Sequence, residues 1–289
     1  MTPGPLTSFE DRVAVVTGGA SGIGRALALE FAHAGAHVVV ADVDEAGMAE
    51  TVGAVTAHGR QGLSAVADVA DRRQVDALAD RVFARFGAVH VLCNNAGVVV
   101  HGGLDTARYE DWQWVLSVNL WGVIHGLLAF LPRMIAQRQG GHIVNTASMA
   151  GLVASQGLGV YNTSKYAVVG LSETLAKDLR AYGIGVSVLC PMGVATRIRE
   201  AERHRPAALR NRERGPAAPE VTLMGRTLTP EAVAARVMAA IRAGELYVIT
   251  HEEGLEPLQR RFQRMQRAIV ERPTAFDSPR GEGYPDLRS

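Results

Sequence analysis

Short apolar runs rich in Val alternate along the chain with longer segments whose apolar positions recur at helical spacing. The first run, 12–17, predicts a strand, and 22–34 predicts the helix after it. Further strands are expected at 37–42, 62–68, 89–94, 142–147, 185–190 and 246–250, which makes seven in all. Runs such as Val38-Val39-Val40 and Val186-Ser187-Val188-Leu189 are apolar on both faces, as in a parallel sheet covered by helices on each side. Strands alternating with helices imply repeated βαβ units, hence an α/β, doubly wound, seven-stranded parallel sheet forming a single domain over residues 1–289. Gly35, Gly87 and Gly183 stand where the preceding helices should stop.

The alternation fails after the sixth strand. Seven Arg and three Glu crowd residues 197–214, and Pro206, Pro216 and Pro219 break up the region further. An irregular insertion of this length beside the C-terminal end of a strand reads as a lid, over about residues 195–229. Residues 272–289, with Pro273, Pro279 and Pro285, are expected to be a mobile tail. Two helical stripes stand out: Val168, Leu171, Leu175 and Leu179, and nearer the C-terminus Leu255, Leu258, Phe262, Met265 and Ile269.

Composition removes several classes of function. With 47% hydrophobic and 20% charged residues, the 289-residue chain can bury a substantial core. Lys plus Arg (30) almost cancels Asp plus Glu (29), so no net field recruits nucleic acid or an anionic membrane, and a small-molecule ligand is expected. The first ten residues lack a basic flank and an apolar stretch, and no later apolar run is expected to reach the about 18 residues of a membrane span. The expectation is a cytoplasmic protein. Cys93 and Cys190 end the fourth and sixth strands. With a strand between them they stand roughly 9 to 10 Å apart, too far for a disulfide. Nine scattered histidines show no zinc spacing, and no metal is expected.

The candidate chemistry begins in the first strand-to-helix turn. Thr17-Gly18-Gly19-Ala20-Ser21-Gly22-Ile23-Gly24 lets the backbone turn tightly and approach a pyrophosphate at a helix N-terminus. Asp42, 18 residues after Gly24 at the end of the second strand, can accept hydrogen bonds from ribose hydroxyls, whereas a 2′-phosphate there would meet a like charge. Neither Ser21 nor Val43 offers a cation to such a phosphate, so NAD is favoured over NADP. Downstream, Tyr161 and Lys165 lie one helical turn apart, so that an ammonium can favour the phenolate of a group otherwise titrating near pH 10. Ser148, just after the fifth strand, could hydrogen-bond a substrate oxygen as charge develops.

With these residues in place, the chain resembles the short-chain dehydrogenase/reductase family, over about residues 10 to 250. The resemblance implies a Rossmann fold and NAD-linked chemistry. It assigns Asp68 and Val69 to adenine contacts, and Asn95, Ala96 and Gly97 of Asn94-Asn95-Ala96-Gly97 to the cofactor's edge. The cofactor set is then Gly18, Ser21, Gly22, Ile23, Gly24, Asp42, Asp68, Val69, Asn95, Ala96, Gly97, Tyr161, Lys165, Pro191, Val194 and Thr196. The implied catalytic set is Asn119, Ser148, Tyr161 and Lys165, with Asn119 tying Lys165 to a water and a proton path. Pro191-Met192-Gly193-Val194-Ala195-Thr196 resembles the family segment around the nicotinamide carboxamide, except that Met192 replaces a glycine and could favour a bulky or aromatic substrate.

The expected function is hydride transfer between NAD and a secondary alcohol or ketone, with Tyr161 taking or returning the hydroxyl proton. From Gly185 onward the chain looks similar to NAD-dependent enzymes oxidising benzylic secondary alcohols of lignin-derived aryl ethers, while an Arg-rich lid could instead admit a carboxylate-bearing substrate. The alternatives are a NADPH- or NADH-dependent ketone reductase and a non-catalytic NAD-sensing protein. His101 either reaches substrate or is an ordinary loop histidine, and His125 reads as a satisfied packed residue. The resemblance also implies a homodimer or homotetramer through the helices bearing Asn119 and Tyr161. For the leucines of the latter helix the alternative is packing on their own sheet.

Overall fold

The structure, a computed structural model, describes residues 6–211 and 225–270. Seven parallel strands form one sheet: β1 (Val13–Thr17), β2 (His37–Asp42), β3 (Gly62–Val66), β4 (Val91–Asn94), β5 (Gly141–Thr146), β6 (Ile184–Cys190) and β7 (Tyr247–Ile249). Their spatial order is β3-β2-β1-β4-β5-β6-β7. The doubly wound sheet expected from the alternation is therefore present, and the order reverses beside β1. In such sheets the crevice beyond the strand ends at the reversal is where ligands bind.

Period-two alternation within each strand divides the core in two. Ala14 and Val16 of β1, with Val38 and Val40 of β2, pack on α1 (Gly22–His33) through Leu27 and Phe31. After β2 comes α2 (Glu45–Ala57), started by the Asp44 carboxylate, which accepts from Gly47 N. On the opposite face of the sheet, Val13 and Val15, with Val39 and Ala41, meet the layer made by α3 (Arg72–Phe86), to which Leu78 and Val82 contribute. Gly87 ends α3 in the left-handed conformation, as expected, at φ 74°.

Strand ends moved by a residue or two for identifiable reasons. The fourth strand begins at Val91 rather than 89, because the amide of Val89 is taken by the Gln137 side chain. A larger difference concerns Tyr109–Ala136, which forms α4 (Tyr109–Leu116), a π turn at Ser117–Trp121 and α5 (Gly122–Ala136). By length and composition this run could cross a membrane, its most apolar window having a mean hydropathy of 1.7, which corrects the sequence reading. Its inner side is core: Trp114, Val115, Val123, Phe130 and Met134 are buried.

The leucine stripe of α6 (Gly159–Asp178) is a region where the sequence left two readings open. Val168 and Leu179 are buried, and Leu171 and Leu175 are partly buried against the same clusters, so the stripe packs on its own sheet. The other stripe differs. On α8 (Leu255–Val270), which comes after α7 (Pro230–Ala243) and β7, no residue is buried, and Leu255, Phe262, Met265 and Ile269 are exposed. Cys93 and Cys190 are free and buried on strands separated by β5, as expected. His125 is packed and satisfied, with Nδ1 2.8 Å from the Val69 carbonyl. The expected tail and residues 212–224 of the expected lid lie outside the described residues.

Candidate active site

A cleft of about 1280 Å³ opens at the C-terminal ends of the strands, where the sheet order reverses. One half is built almost entirely by backbone. Gly18 sits at φ +64°, and a Cβ there would lie 2.8 Å from Ala96 Cα; a Cβ on Gly24 would lie 2.1 Å from the Gly18 carbonyl oxygen. Only glycine lets β1, the turn and the β4 end approach this closely, leaving the first amides of α1 facing a concave floor that fits a pyrophosphate. Gly18, Ser21, Gly22 and Ile23 line it. Gly24 does not; its role is the packing just described.

Polar side chains at the strand ends hold this floor. Asp42 Oδ2 accepts from Ala20 N at 3.0 Å, while its Oδ1 accepts from Val43 N (2.7 Å) and Asp44 N (3.1 Å). Asn95 donates through Nδ2 to the Thr17 and Gly18 carbonyls at 3.0 and 3.3 Å. The sequence marks Thr17 only as the start of the turn, yet its Oγ1 accepts from Asn95 N and Ala96 N. Asp42, Asp68, Val69, Asn95, Ala96 and Gly97 all line the cleft. The first strand-turn-helix, the β2 end and the β4 end thus provide a cradle that a dinucleotide fits.

Ser148, Tyr161 and Lys165 also line this cleft. Tyr161 and Lys165 project from one face of α6, with Lys165 Nζ 5.6 Å from the phenol ring centroid. Lys165 is 2% exposed and donates to the Thr146 carbonyl at 2.8 Å. Ser148 caps a short 3-10 turn by accepting from Ala150 N, and it donates to the Pro191 carbonyl at 3.3 Å. Burial pushes the Tyr161 phenol up to about 12, and the Ser148 hydroxyl, within hydrogen-bonding reach, pulls the other way. The same burial pushes Lys165 down to about 8. Desolvation therefore outweighs the expected help from Lys165, whose ammonium is turned to a carbonyl and is itself costly in this surrounding.

Asn119 lies on the π turn, a helix irregularity common at functional sites. Its Oδ1 accepts from Val98 N at 2.8 Å, and its Nδ2 donates to the Val98 carbonyl (2.9 Å) and to Ser164 Oγ (3.1 Å). The amide thus clamps the loop after β4 to α6 rather than contacting Lys165. Both residues crowd Gly97, where a Cβ would lie 3.4 Å from Asn119 Oδ1 and 3.6 Å from Lys165 Nζ.

The remaining wall is apolar on one side, formed by Met149, Val153, Leu158, Met192, Trp114 and Pro257 among others, while the segment after β6 adds Arg197, Arg199, Arg203 and His204 to the lining. Pro191, Val194 and Thr196 line the cleft as anticipated. His251, not singled out in the sequence, anchors this floor. It is 2% exposed, with Nε2 3.1 Å from the Gly193 carbonyl and 3.0 Å from that of Arg226. His101 lines the cleft too, its imidazole held below the ordinary value by partial burial and by the charge of Arg199.

Comparison with known proteins agrees with this geometry. The short chain dehydrogenase family matches residues 12–207. A C alpha-dehydrogenase of Sphingobium sp. strain SYK-6 is 39% identical over 270 residues, covering 89% of this chain and 86% of that protein. A 1-deoxy-11-beta-hydroxypentalenate dehydrogenase of Streptomyces avermitilis is 35% identical over 91% of this chain and 93% of its own length. Among solved structures, a short chain dehydrogenase/reductase from Burkholderia phymatum in complex with NAD superposes with a TM-score of 0.86 at 41% identity, covering 93% of this chain and 98% of that one. The chain belongs to the short-chain dehydrogenase family and is an oxidoreductase that moves a hydride between a nicotinamide cofactor and an alcohol or ketone.

Proposed function

We propose that the protein is a NAD-dependent secondary-alcohol dehydrogenase acting on bulky or aromatic alcohols, with Ser148, Tyr161 and Lys165 at the reacting centre. The carrying observation is that Tyr161 and Lys165 share one face of α6, both buried, beside Ser148 in the cleft that the glycine turn also lines. Oxidised NAD, when bound, accepts the carbinol hydride and adds a positive charge near the phenol. Tyr161 takes the hydroxyl proton, Ser148 donates to the substrate oxygen, and Lys165 places an ammonium beside the developing phenolate. Asn119 holds the β4 loop and α6 in register. Run backwards, the same groups reduce a ketone.

The cofactor choice is supported by Asp42, whose carboxylate stands against a 2′-phosphate, while Arg25 on α1 is paired with Glu50 at 3.3 Å. Further support comes from the NAD-bound structural relative. The substrate class is supported by the Met149 and Met192 wall and by the C alpha-dehydrogenase relative. Binding of NAD also involves Gly18, Ser21, Gly22, Ile23, Asp68, Val69 and the Asn95 to Gly97 loop, with Pro191, Val194 and Thr196 at the carboxamide. A cytoplasmic homodimer or homotetramer completes the reading, and the bare stripe of α8 supports a subunit contact there.

Purified protein is mixed with NAD or NADP and a panel of aryl, cyclic and steroid alcohols while nicotinamide absorbance is tracked, and its mass in solution is measured by light scattering. Turnover of an aryl secondary alcohol with NAD is the expected result. Tight NAD binding with no turnover of any alcohol or ketone would instead identify a cofactor-sensing protein.

A further inference from the structure

The described part of the lid is not a loop lying free over the cleft. Residues 197–211 make two short 3-10 turns, Arg197–His204 and Ala207–Leu209, and between them Arg205 turns inward to 3% exposure. Its guanidinium is held at every edge. Nη2 donates to Asp111 Oδ1 at 2.7 Å, Nη1 to Glu202 Oε1 at 3.1 Å, and Nε to the Leu209 carbonyl at 2.6 Å, while its flat face lies 5.0 Å from the Trp114 ring centroid.

Asp111, on α4, is as enclosed as its partner: the two side chains are 5% and 2% exposed. Its Oδ2 accepts from Arg108 N at 3.0 Å, and its Oδ1 also accepts from Asn211 Nδ2 at 3.0 Å. The bonds from Arg205 to Glu202 and Leu209 are internal to the lid and shape its turn, whereas the bonds to Asp111 and the stacking on Trp114 join the lid to the helix leading into Asn119. Around the pair, Ala201 and Leu209 of the lid pack with Val98, Trp114 and Val160, the last of these adjacent to Tyr161.

Arg205 does not line the cleft. Its neighbours Ala201, Pro206 and Leu209 do, together with Trp114. The pair therefore stands behind the substrate wall and sets where that wall is. A seat made of apolar groups alone would tolerate small slips. Two enclosed opposite charges do not, because either one left without the other carries a heavy desolvation cost. The lid is consequently either docked with both ions paired or withdrawn with both in water.

We propose that Arg205, through Asp111, is a specificity-determining positioning residue: the clasp seats the 197–211 segment on Trp114 and fixes the far wall of the substrate half of the cleft. The inference rests on the dehydrogenase reading, in that the wall belongs to the alcohol site.

The test uses the full-length enzyme with saturating NAD, a bulky alcohol (1-phenyl-1-propanol) and a small one (cyclohexanol). In Arg205→Met and in the shape-conserving Asp111→Asn, KM for the bulky alcohol should rise about tenfold, with kcat, the KM for NAD and the cyclohexanol KM each within about twofold of the parent. The double variant should cost no more than either single one, since both break the same contact. Trypsin cleavage after the lid arginines should be faster in all three than in the parent, with NAD bound throughout. An unchanged bulky-alcohol KM with unchanged cleavage overturns the clasp. A parallel loss of NAD affinity, cyclohexanol turnover and thermal stability in Asp111→Asn overturns it too, by showing a role in the fold alone. If the parent turns over no alcohol, the dehydrogenase reading fails, while the cleavage comparison still reports whether the clasp holds the lid.

Discussion

The two halves of the cleft are built by different physics. In the cofactor half, backbone amides and carbonyls at the ends of β1, β2 and β4 are pinned by Thr17, Asp42 and Asn95. Contacts there join strand ends that are neighbours in the sheet, so the geometry is nearly complete once the strands pair. In the substrate half, side chains from α4, the 197–209 stretch, the 191–196 segment and the start of α8 converge from distant parts of the chain. The first half is therefore built alike for any substrate, and the proposed function places selectivity in the second.

The proposed reacting centre of Ser148, Tyr161 and Lys165 lies between the halves, and a change there should have the largest effect on turnover while leaving both flanks intact. Tyr161→Phe removes the proton carrier and should lower kcat by about a thousandfold. NAD affinity, measured by fluorescence titration, should stay near the parent's.

Next in size is Gly24→Val. Its side chain would be driven into the Gly18 carbonyl and Asn95 Nδ2, which a Cβ already meets at 2.1 and 2.6 Å. NAD affinity should fall by about a hundredfold or more through displacement of the turn, a loss that calorimetry would measure. Retention of full affinity would break the claim that the cofactor half depends on close backbone approach. Asp42→Ala is milder: it removes a charged acceptor and should narrow the preference for NAD over NADP by about tenfold or more in kcat/KM. On the other side of the cleft, Met192→Ala should raise KM for bulky alcohols by about tenfold or less, with the KM for NAD unmoved.

The pH dependence sharpens the same contrast. Burial raises Tyr161 to about 12, so the base needed for oxidation becomes more abundant as pH rises, and the acid needed for reduction less so. Alcohol oxidation should accelerate with pH by up to about tenfold per unit, and ketone reduction should slow, in initial-rate profiles. Lys165 gives the smallest and most specific signal. Its pKa is lowered from 10.5 to about 8, so between those values the unfolded chain binds more protons than the folded one. The destabilisation from burying its ammonium is full below about 8 and fades towards 10.5. The stability of Lys165→Met relative to the parent should therefore be most favourable below pH 8 and decline as pH rises, in denaturation experiments across that range.

These differences also explain what was legible in the chain. Short apolar runs located all seven strands, including the partly exposed edge strands β3 and β7, and the glycine turn located the end of β1, because these features depend on residues close in sequence. The stripe on α6 was ambiguous because periodicity shows that a helix has an apolar face and says nothing of what covers it; the sheet covers it here. The helix Tyr109–Ala136 was misjudged for a related reason, since its polar residues interrupt an apolar run without lowering its mean hydropathy enough. Nothing around Asp111 marked it as the partner of a residue 94 positions away.

By itself the sequence determined the doubly wound sheet, the dinucleotide cradle and the pairing of Tyr161 with Lys165, because each rests on a local rule: period two in strands, glycine at a tight turn, four residues in a helical turn. Only the tertiary structure decided that burial dominates the titration of that pair, that Asn119 clamps Val98 to α6, and that Arg205 pairs with Asp111. Those outcomes depend on which groups are withdrawn from water together, and solvent exclusion is a property of the packed molecule rather than of any segment of its chain.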